Sequence, residues 1–372
     1  MAEADITSAG TGDWNAGATW TGGAVPDTDQ HAIIQSGHNV TINANDEIKS
    51  LTVNSGGTLT GNASYSLTIN GEGSASYGTN YQCVYIRGVI GANVNLIITT
   101  GVSTEFDTNS SSGRLTNLTI SNTSGQVSWE AGMSISGDLV VSASGGNFRP
   151  YNMAYPLTVD GDVTVNGTLV HSGDVPTGAF TFGSLTIASG GTFRATSGTT
   201  TITSETSTYA WKNLETDGTG FVHNNGLVKI GYNDADYNSD TNIQEFTFYD
   251  FEVDMNHSGH DTVWAAPSGS TITFEGNYTG TQGRIRPSDP ATTFIVHGIT
   301  SISANAYWGN STGHFTNPVT FNGLVTNMGT FFTSSGTNNF NGGIRNLGTF
   351  TSNDTLTIGG TGGILEGNLD DA

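Results

Sequence analysis

The chain has 372 residues, including 52 Gly, and its formal net charge is −22 because 32 Asp and Glu outnumber ten Lys and Arg. This acidity excludes a nucleic-acid-binding protein, which needs a basic face to displace counterions from phosphates. No apolar run approaches the roughly 20 residues of a membrane helix, so membrane insertion is not expected. We interpret the acidic balance as a means of keeping a large exposed surface soluble.

Residues 1–45 are predicted to form an N-terminal cap and the first coils of a repetitive fold. Trp14 and Trp20 can cover an apolar end, and Val25-Pro26 begins a turn. The following HAIIQSG and HNVTIN are typical of two strands, since strands place alternate side chains on opposite faces. The first residues, MAEADITSAGTGDWN, have neither a basic start nor an apolar core, so a signal peptide is not expected.

One short stretch is repeated along the chain. SLTVNSGGTLT at 50–60 returns as SLTIASGGTFR at 184–194, and more loosely as DLVVSASGGNF at 138–148. A catalytic motif is normally needed once, whereas a repeated one indicates a building unit. The repetition therefore predicts architecture, not a site.

A four-residue pattern of Thr or Ser, an apolar residue, any residue and Gly carries the same repeat. It occurs as TVNG at 164–167 and TFNG at 320–323, among other copies. In the last third of the chain, successive glycines are spaced 22, 25, 19 and 18 residues apart, at Gly276, Gly298, Gly323, Gly342 and Gly360. Gly and Asn supply the positive φ that tight corners require.

These spacings predict an all-β fold, a parallel β-helix or β-solenoid with coils of about 20 residues and a capped N-terminus. Stacking at the interstrand distance would give about 12–15 coils. Tandem β-sandwich domains are the alternative, because turn signals at short intervals also suit them. The predicted segments are the cap and first coils (1–45), a β-solenoid (46–203), a solenoid with acidic and aromatic insertions (204–265) and a C-terminal β-solenoid (266–372).

The segment DADYNSDTNIQE, residues 234–245, predicts a structural Ca²⁺ site. Carboxylate and amide residues occupy the first, third, fifth, seventh and twelfth places of an EF-hand-like loop, at Asp234, Asp236, Asn238, Asp240 and Glu245. Ser239 stands where Gly is expected, and no flanking helix is evident. An acidic, solvated loop is therefore the alternative, and no other cofactor is expected.

Two further groups contain residue types that occur in metal or nucleophilic sites. His257, His260 and Asp261 in NHSGHD lack the helix and the glutamate of a zinc protease, so a polar loop is the alternative to a metal site. The single cysteine, Cys83, lies in the strand-like run CVYI and is predicted to be a small buried side chain.

The chain is predicted not to be an enzyme. The carboxylate pairs Asp27 with Asp29 and Asp160 with Asp162 invite comparison with glycosidases, whose acids lie about 5–10 Å apart in a cleft. A lyase for acidic sugars needs basic residues, which are scarce here. Aromatic side chains can also bind sugars, with core or cap positions as the alternative: Tyr81, Trp129, Trp211, Trp264, Tyr307 and Trp308.

The order Trp14, Trp20, Gly22-Gly23, Val25-Pro26 and then a strand resembles the opening of many β-helical surface and phage proteins. This resemblance spans residues 12–43, and the Gly/Thr/Asn-rich repeat extends it along the chain. The chain thus resembles virion structural proteins of tailed phages, of the capsid decoration, head-fibre or tail-spike type.

The resemblance implies a non-catalytic protein made in the host cytoplasm and exposed on the virion surface, acting by assembly and by host-surface adhesion. Its expected partners are other virion proteins, further copies of itself (a trimer being the form common in such appendages) and a host surface glycan. Nucleic acid and membrane insertion are not expected. One alternative is a bacterial surface adhesin or surface-layer-like solenoid, which would be extracellular. Another is a polysaccharide-degrading tail spike.

Overall fold

A computed structural model shows an all-β chain, 2% helical, in which parallel sheets stack as a β-solenoid of about 13 turns with about 23 residues in each. The predicted fold class is thereby confirmed over tandem sandwiches. The described residues are 5–71, 82–108, 113–142, 147–203, 209–215, 219–231, 240–255, 261–266, 269–287, 292–309, 316, 318–352, 356–359, 364–367 and 370–371.

The chain divides into two compact units. The first comprises Met1–Phe180 with Ile187–Arg194, and the second comprises Thr181–Thr186 with Ala195–Ala372. Strands up to residue 194 are β1 (Asp5–Thr7), β2 (Gly12–Asp13), β3 (His31–Ile34), β4 (Asn39–Thr41), β5 (Asp46–Ile48), β6 (Ser50–Val53), β7 (Thr58–Thr60), β8 (Leu67–Ile69), β9 (Gln82–Ile86), β10 (Val89–Ile90), β11 (Asn95–Ile98), β12 (Thr104–Thr108), β13 (Asn117–Ile120), β14 (Gln126–Glu130), β15 (Met133–Ile135), β16 (Leu139–Val141), β17 (Asn147–Pro150), β18 (Leu157–Val165), β19 (Thr168–Leu169), β20 (Phe180–Ile187) and β21 (Thr192–Arg194).

The later strands all belong to the second unit. They are β22 (Thr199–Ile202), β23 (Trp211–Asn213), β24 (Phe221–Val222), β25 (Leu227–Ile230), β26 (Asp240–Gln244), β27 (Thr247–Phe248), β28 (Asp250–Asp254), β29 (Thr262–Ala266), β30 (Thr271–Phe274), β31 (Tyr278–Pro287), β32 (Thr293–Val296), β33 (Thr300–Trp308), β34 (Val319–Phe321), β35 (Val325–Asn327), β36 (Thr330–Phe332), β37 (Asn338–Phe340), β38 (Gly343–Asn346), β39 (Thr349–Ser352), β40 (Leu356–Ile358), β41 (Ile364–Glu366) and β42 (Asp370–Asp371).

In the first unit, parallel ladders run from coil to coil. One sheet follows the order β1, β3, β6, β9, β12, β14, β17, β19 and β21, and a smaller one follows β2, β4, β7 and β10. A third ladder aligns buried aliphatic side chains of β8, β11, β13, β16 and β18, namely Leu67, Leu96, Leu118, Leu139 and Val163. Each buried side chain of this size contributes about 2 kcal/mol, so the stack itself is the hydrophobic core.

In the second unit, the ladder register repeats the glycine spacing of the sequence. Strands β30, β32, β34, β37 and β40 pair in that order, which stacks Phe274, Val296, Phe321, Phe340 and Ile358 one above another. Each of these residues precedes a glycine of the series by two positions. The ring centroids of Phe321 and Phe340 lie 5.2 Å apart. The predicted repeat is therefore the physical coil.

Glycines serve the corners in two different ways. Gly56 has φ +81° and Gly190, its counterpart in the repeated stretch, has φ +83°, so both corners need the left-handed conformation that glycine adopts without strain. In the last third, by contrast, a Cβ at Gly298 would collide with the carbonyl oxygen of Gly276 on the preceding coil. There glycine permits close approach of backbones.

The N-terminal tryptophans are buried. Trp14 and Trp20 pack edge to face with ring centroids 4.8 Å apart, and the Trp20 indole N–H donates to the Trp14 carbonyl oxygen at 2.7 Å. Two short 3₁₀ turns, Gly17–Thr19 and Thr21–Gly23, surround this pair. In the described part of the chain, no helix has the length and apolar character needed to span a membrane.

Candidate functional site

The densest group of carboxylates in the first unit lies on the outward face of β12 and β14. We call Glu105, Asp107 and Glu130 the acidic cluster. The strand register sets Asp107 directly beside Glu130, while Glu105 lies two residues before Asp107 and so projects from the same face. Because paired residues of these strands are 23 positions apart along the chain, only the coil register brings the three side chains together.

Arg87 compensates the most buried of these carboxylates. Its two terminal nitrogens donate to the two oxygens of Asp107 at 3.0 and 2.6 Å, and the Gln82 amide donates to the same carboxylate at 3.1 Å. The Arg87 guanidinium also lies 3.9 Å from the ring centroid of Tyr85. A bidentate pair of this kind is strong and geometrically specific. Asp107 therefore has its full set of partners within the chain.

The two glutamates of the cluster interact with each other. Burial, followed by the charge and hydrogen bonding of Glu130, raises the pKa of Glu105 to about 7. Burial also raises the pKa of Glu130, followed by the charge of Asp107, while the hydrogen bond from Glu105 lowers it. Two like charges in contact cannot both ionise at low cost, so protonated Glu105 donates to ionised Glu130.

A shared proton bears on the chemistry that this pair can perform. A retaining glycosidase separates its two carboxyl groups by about 5–5.5 Å, and an inverting one by more, so that the sugar or a water fits between them. Carboxyls joined by a hydrogen bond leave no such gap. A cavity on the opposite, inward side of β12, lined by Ile90, Phe106 and Met133, encloses about 30 Å³, which holds about one or two water molecules. Neither feature accommodates a sugar ring.

Of the predicted Ca²⁺ ligands, only Asp240 and Glu245 lie within the described residues; Asp234, Asp236 and Asn238 lie outside them. Asp240 is exposed at the start of β26, whereas Glu245 directly follows that strand and is buried. Their separation of five residues places the two side chains on opposite faces. The structure does not bring these two residues together, and the Ca²⁺ site stays a prediction.

Glu245 is an interior carboxyl with partners of its own. It accepts hydrogen bonds from the Asn213 amide at 3.0 Å and from the backbone N–H of Phe246 at 2.8 Å, and the Trp211 indole N–H lies at 3.4 Å. Burial raises the pKa of Glu245 and these hydrogen bonds offset the rise in part, which leaves the pKa at about 7. Sequence reasoning missed this role because only the fold turns the side chain inward.

The other candidate metal and nucleophilic residues are those of NHSGHD and Cys83. His257 and His260 fall outside the described residues, and Asp261 is buried. Among the residues that the structure describes, no three His, Cys, Asp or Glu form a group that could hold a metal. Cys83 is buried, as predicted, and burial raises the pKa of its thiol to about 12. A thiol with so high a pKa is not a nucleophile at neutral pH.

The aspartate pairs considered for glycosidase chemistry lie on the surface. Asp27 and Asp29 are exposed in the turn before β3, where the Asp27 carboxylate accepts a hydrogen bond from the Asp29 backbone at 3.2 Å. Asp160 and Asp162 are exposed on β18, and Asp160 forms an ion pair with Arg114. These contacts stabilise a turn and a coil edge.

The candidate sugar-binding aromatics fall into two groups. Trp129, Trp211 and Trp308 are fully buried in the coil interior, so for them the core alternative is confirmed. Trp264 on β29 and Tyr307 on β33 are half-buried on the outward face of the second unit. Tyr81 lies outside the described residues. Only Trp264 and Tyr307 therefore remain, among the described candidates, as surface-accessible rings.

No protein-family model, curated protein or solved structure matches the chain. Function is therefore inferred from the chain's own side chains.

Proposed function

We propose that the protein is a non-catalytic structural β-solenoid displayed on the surface of a tailed-phage particle, where it acts by assembly and by contact with the host surface. The observation that carries this proposal is the in-register stack of coils. The inward side chains of successive coils bury one another, and a repeat protein of this kind is a scaffold whose outer faces vary freely.

Like side chains on successive coils support the scaffold role. The side-chain amide of Asn341 donates to Oδ1 of Asn322 at 2.8 Å, and that of Asn327 donates to Oδ1 of Asn346 at 2.7 Å. Such ladders add stability along the stack, because parallel in-register strands place identical positions one coil apart. They serve a repetitive scaffold, and they offer no nucleophile or base.

The proposed partners are other virion proteins and further copies of the chain. Parallel solenoids end in strands whose N–H and C=O groups lack a neighbour, so association with another subunit or a cap protects them from uncontrolled pairing. A homo-oligomer, such as a trimer, provides that protection. The virion assignment itself comes from the resemblance of residues 12–43 and the repeat to phage appendages.

The location can be tested with an antibody against the protein. Immunogold labelling of purified particles from the source lysate is expected to place gold on intact particles, because the proposal puts the protein on the outer surface. Labelling of the bacterial cell wall, with unlabelled particles, would overturn the virion proposal in favour of a surface adhesin.

Polysaccharide degradation is a second candidate, favoured by the raised pKa of Glu105 beside Glu130. A general acid needs a pKa near the working pH, and Glu105 meets that condition. The hydrogen bond between the two carboxyls and the satisfied state of Asp107 oppose it. Release of reducing sugar from a host glycan by the wild-type protein, abolished in E105Q, would establish this alternative.

A further inference from the structure

Two arginines lie side by side on the outward face of the second unit. Arg284 and Arg286 are alternate residues of β31, with the buried Ile285 between them. At the rise of a strand, their Cα atoms lie about 7 Å apart and their side chains leave the same face. The whole chain has only ten Lys and Arg against 32 Asp and Glu. A pair of adjacent cations therefore stands out against the acidic surface.

An aromatic ring holds each guanidinium in place. The Arg286 guanidinium lies 3.5 Å from the ring centroid of Trp264, and the Arg284 guanidinium lies 5.1 Å from that of Tyr307. The ladder register explains both contacts, since β29 places Trp264 beside Arg286 and β33 places Tyr307 beside Arg284. Stacking uses the face of the guanidinium plane, while its N–H donors point outward within that plane.

Among the described residues, no carboxylate pairs with Arg284 or Arg286. Within the described ranges, neither guanidinium forms an ion pair, whereas Arg87, Arg149 and Arg345 each bind a carboxylate at 2.6 to 2.9 Å. The Nε atoms of Arg284 and Arg286 are buried and have no hydrogen-bond partner.

The arrangement is unfavourable in the free protein. Burial lowers the pKa of both guanidinium groups, and the charge of Arg284 lowers that of Arg286 further. Asp240 lies in the same ladder as Arg284, two coils away. Its charge raises the pKa of both arginines, but it forms no ion pair with either in the described structure. Two partly desolvated like charges cost free energy, and a bound anion would remove that cost.

We propose that Arg284, Arg286, Trp264 and Tyr307, the arginine site, bind a carboxylate-bearing sugar residue of an anionic polysaccharide. A guanidinium fork matches the two oxygens of a carboxylate, and two forks about 7 Å apart can hold one carboxylate and a neighbouring hydroxyl. The exposed parts of the two rings supply apolar surface for the C–H groups of the sugar. Asp240 at the rim disfavours polymers of higher charge density, such as sulfated chains.

This inference rests on the proposed function for its setting, because it names the chemical class of the host-surface ligand. The site itself is argued from the described side chains of the second unit. A failure of particle labelling leaves the site intact, and a failure of sugar binding leaves the virion proposal intact, so the two can be told apart.

The test is calorimetric titration of the full chain with a galacturonic acid tetramer and with its fully methyl-esterified form. We expect the acid to bind and the ester to bind at least about tenfold more weakly, since the ester lacks the charge that the forks recognise. R284Q/R286Q should weaken binding about 100-fold, one factor of ten for each charge-assisted contact. The control R345Q removes an arginine that is paired with Glu366 and should leave binding unchanged.

A second variant distinguishes a loss of binding from a loss of folding. R284K/R286K keeps both charges and should weaken binding about tenfold, because lysine cannot present the planar fork. Circular dichroism and a melting curve establish that each variant is folded. Four results would overturn the proposal: no binding of the acid, equal binding of acid and ester, unchanged binding by folded R284Q/R286Q, or tighter binding of a heparin tetramer or a glycerol phosphate oligomer than of the acid.

Discussion

The acidic cluster of the first unit and the arginine site of the second differ in how their charges are compensated. In the first unit, the acidic cluster satisfies itself, because Arg87 binds Asp107 and one proton is shared between the two glutamates. In the second unit, the arginine site leaves two positive charges without a partner among the described carboxylates. A cluster with internal compensation stabilises the coil that carries it. For the arginine site, we propose that a bound anion supplies this compensation.

The largest expected effect is in the first unit. R87Q leaves the nearly buried Asp107 carboxylate without its counter-ion, and breaking such a pair from one side destabilises a fold by about 2–3 kcal/mol. Chemical unfolding followed by circular dichroism measures this loss. R345Q is the matched control, since the exposed pair of Arg345 with Glu366 is worth less than about 1 kcal/mol. A stability of R87Q equal to that of R345Q would contradict the compensation that we describe.

The stability of the protein as a function of pH tests the acidic cluster further. Because the folded pKa of Glu105, about 7, lies above its ordinary value of 4.5, the folded state holds this proton more tightly than the unfolded state does. Stability should therefore fall as pH rises from about 4.5 through 7.

E105Q, which stays neutral, should be more stable than wild type at pH 8 by about 1 kcal/mol, a value reduced for the partial exposure of the site. At pH 4 the two proteins should be nearly equal. Melting curves at both pH values measure the difference, and an identical gap at the two pH values would show that Glu105 does not carry the extra proton.

The smallest effect is expected at the arginine site. R284Q removes one of two repelling cations but also its contact with Tyr307, and stacking of this kind is worth about 0.5–1 kcal/mol at an accessible site. The two changes offset each other, so the free energy of unfolding should stay within about 1 kcal/mol of wild type. The same unfolding experiment as for R87Q measures it. A loss as large as that of R87Q would mean that Arg284 is a structural residue.

The fold was predictable because one periodicity fixes it. The glycine spacing of the last third equals the ladder register of Phe274, Val296, Phe321, Phe340 and Ile358, so the sequence repeat and the physical coil are the same. The role of some glycines differs from the prediction. Gly298 permits the close approach of two backbones, whereas a positive φ was expected there.

The surface sites were not predictable from local spacing. Trp264 precedes Arg286 by 22 residues and Tyr307 follows Arg284 by 23, and these distances become neighbours only when the length of each coil is known. A signal was present in the run GRIR, where two arginines alternate with an apolar residue on a strand. The chain has few basic residues, which argues against a lyase, but two of those few lie together.

Residues 234–245 show what a local spacing rule leaves out. The spacing predicts a Ca²⁺ loop, which the described residues do not test, while in the structure β26 begins at Asp240 and Glu245 lies in the interior. Burial of a carboxyl with Asn213 and Trp211 as partners depends on contacts 32 and 34 residues away. No spacing rule within twelve residues contains that information.

The central claim is that the uncompensated charge of the second unit, and not the acidic cluster of the first, is where the protein meets its ligand. The most direct test is a crystal structure of the protein with the galacturonic acid tetramer. We predict that electron density places a sugar carboxylate within hydrogen-bond distance of Arg284 and Arg286, beside Trp264. A tetramer bound at Glu105 and Glu130, or an arginine site that stays empty at saturating sugar, would contradict the claim.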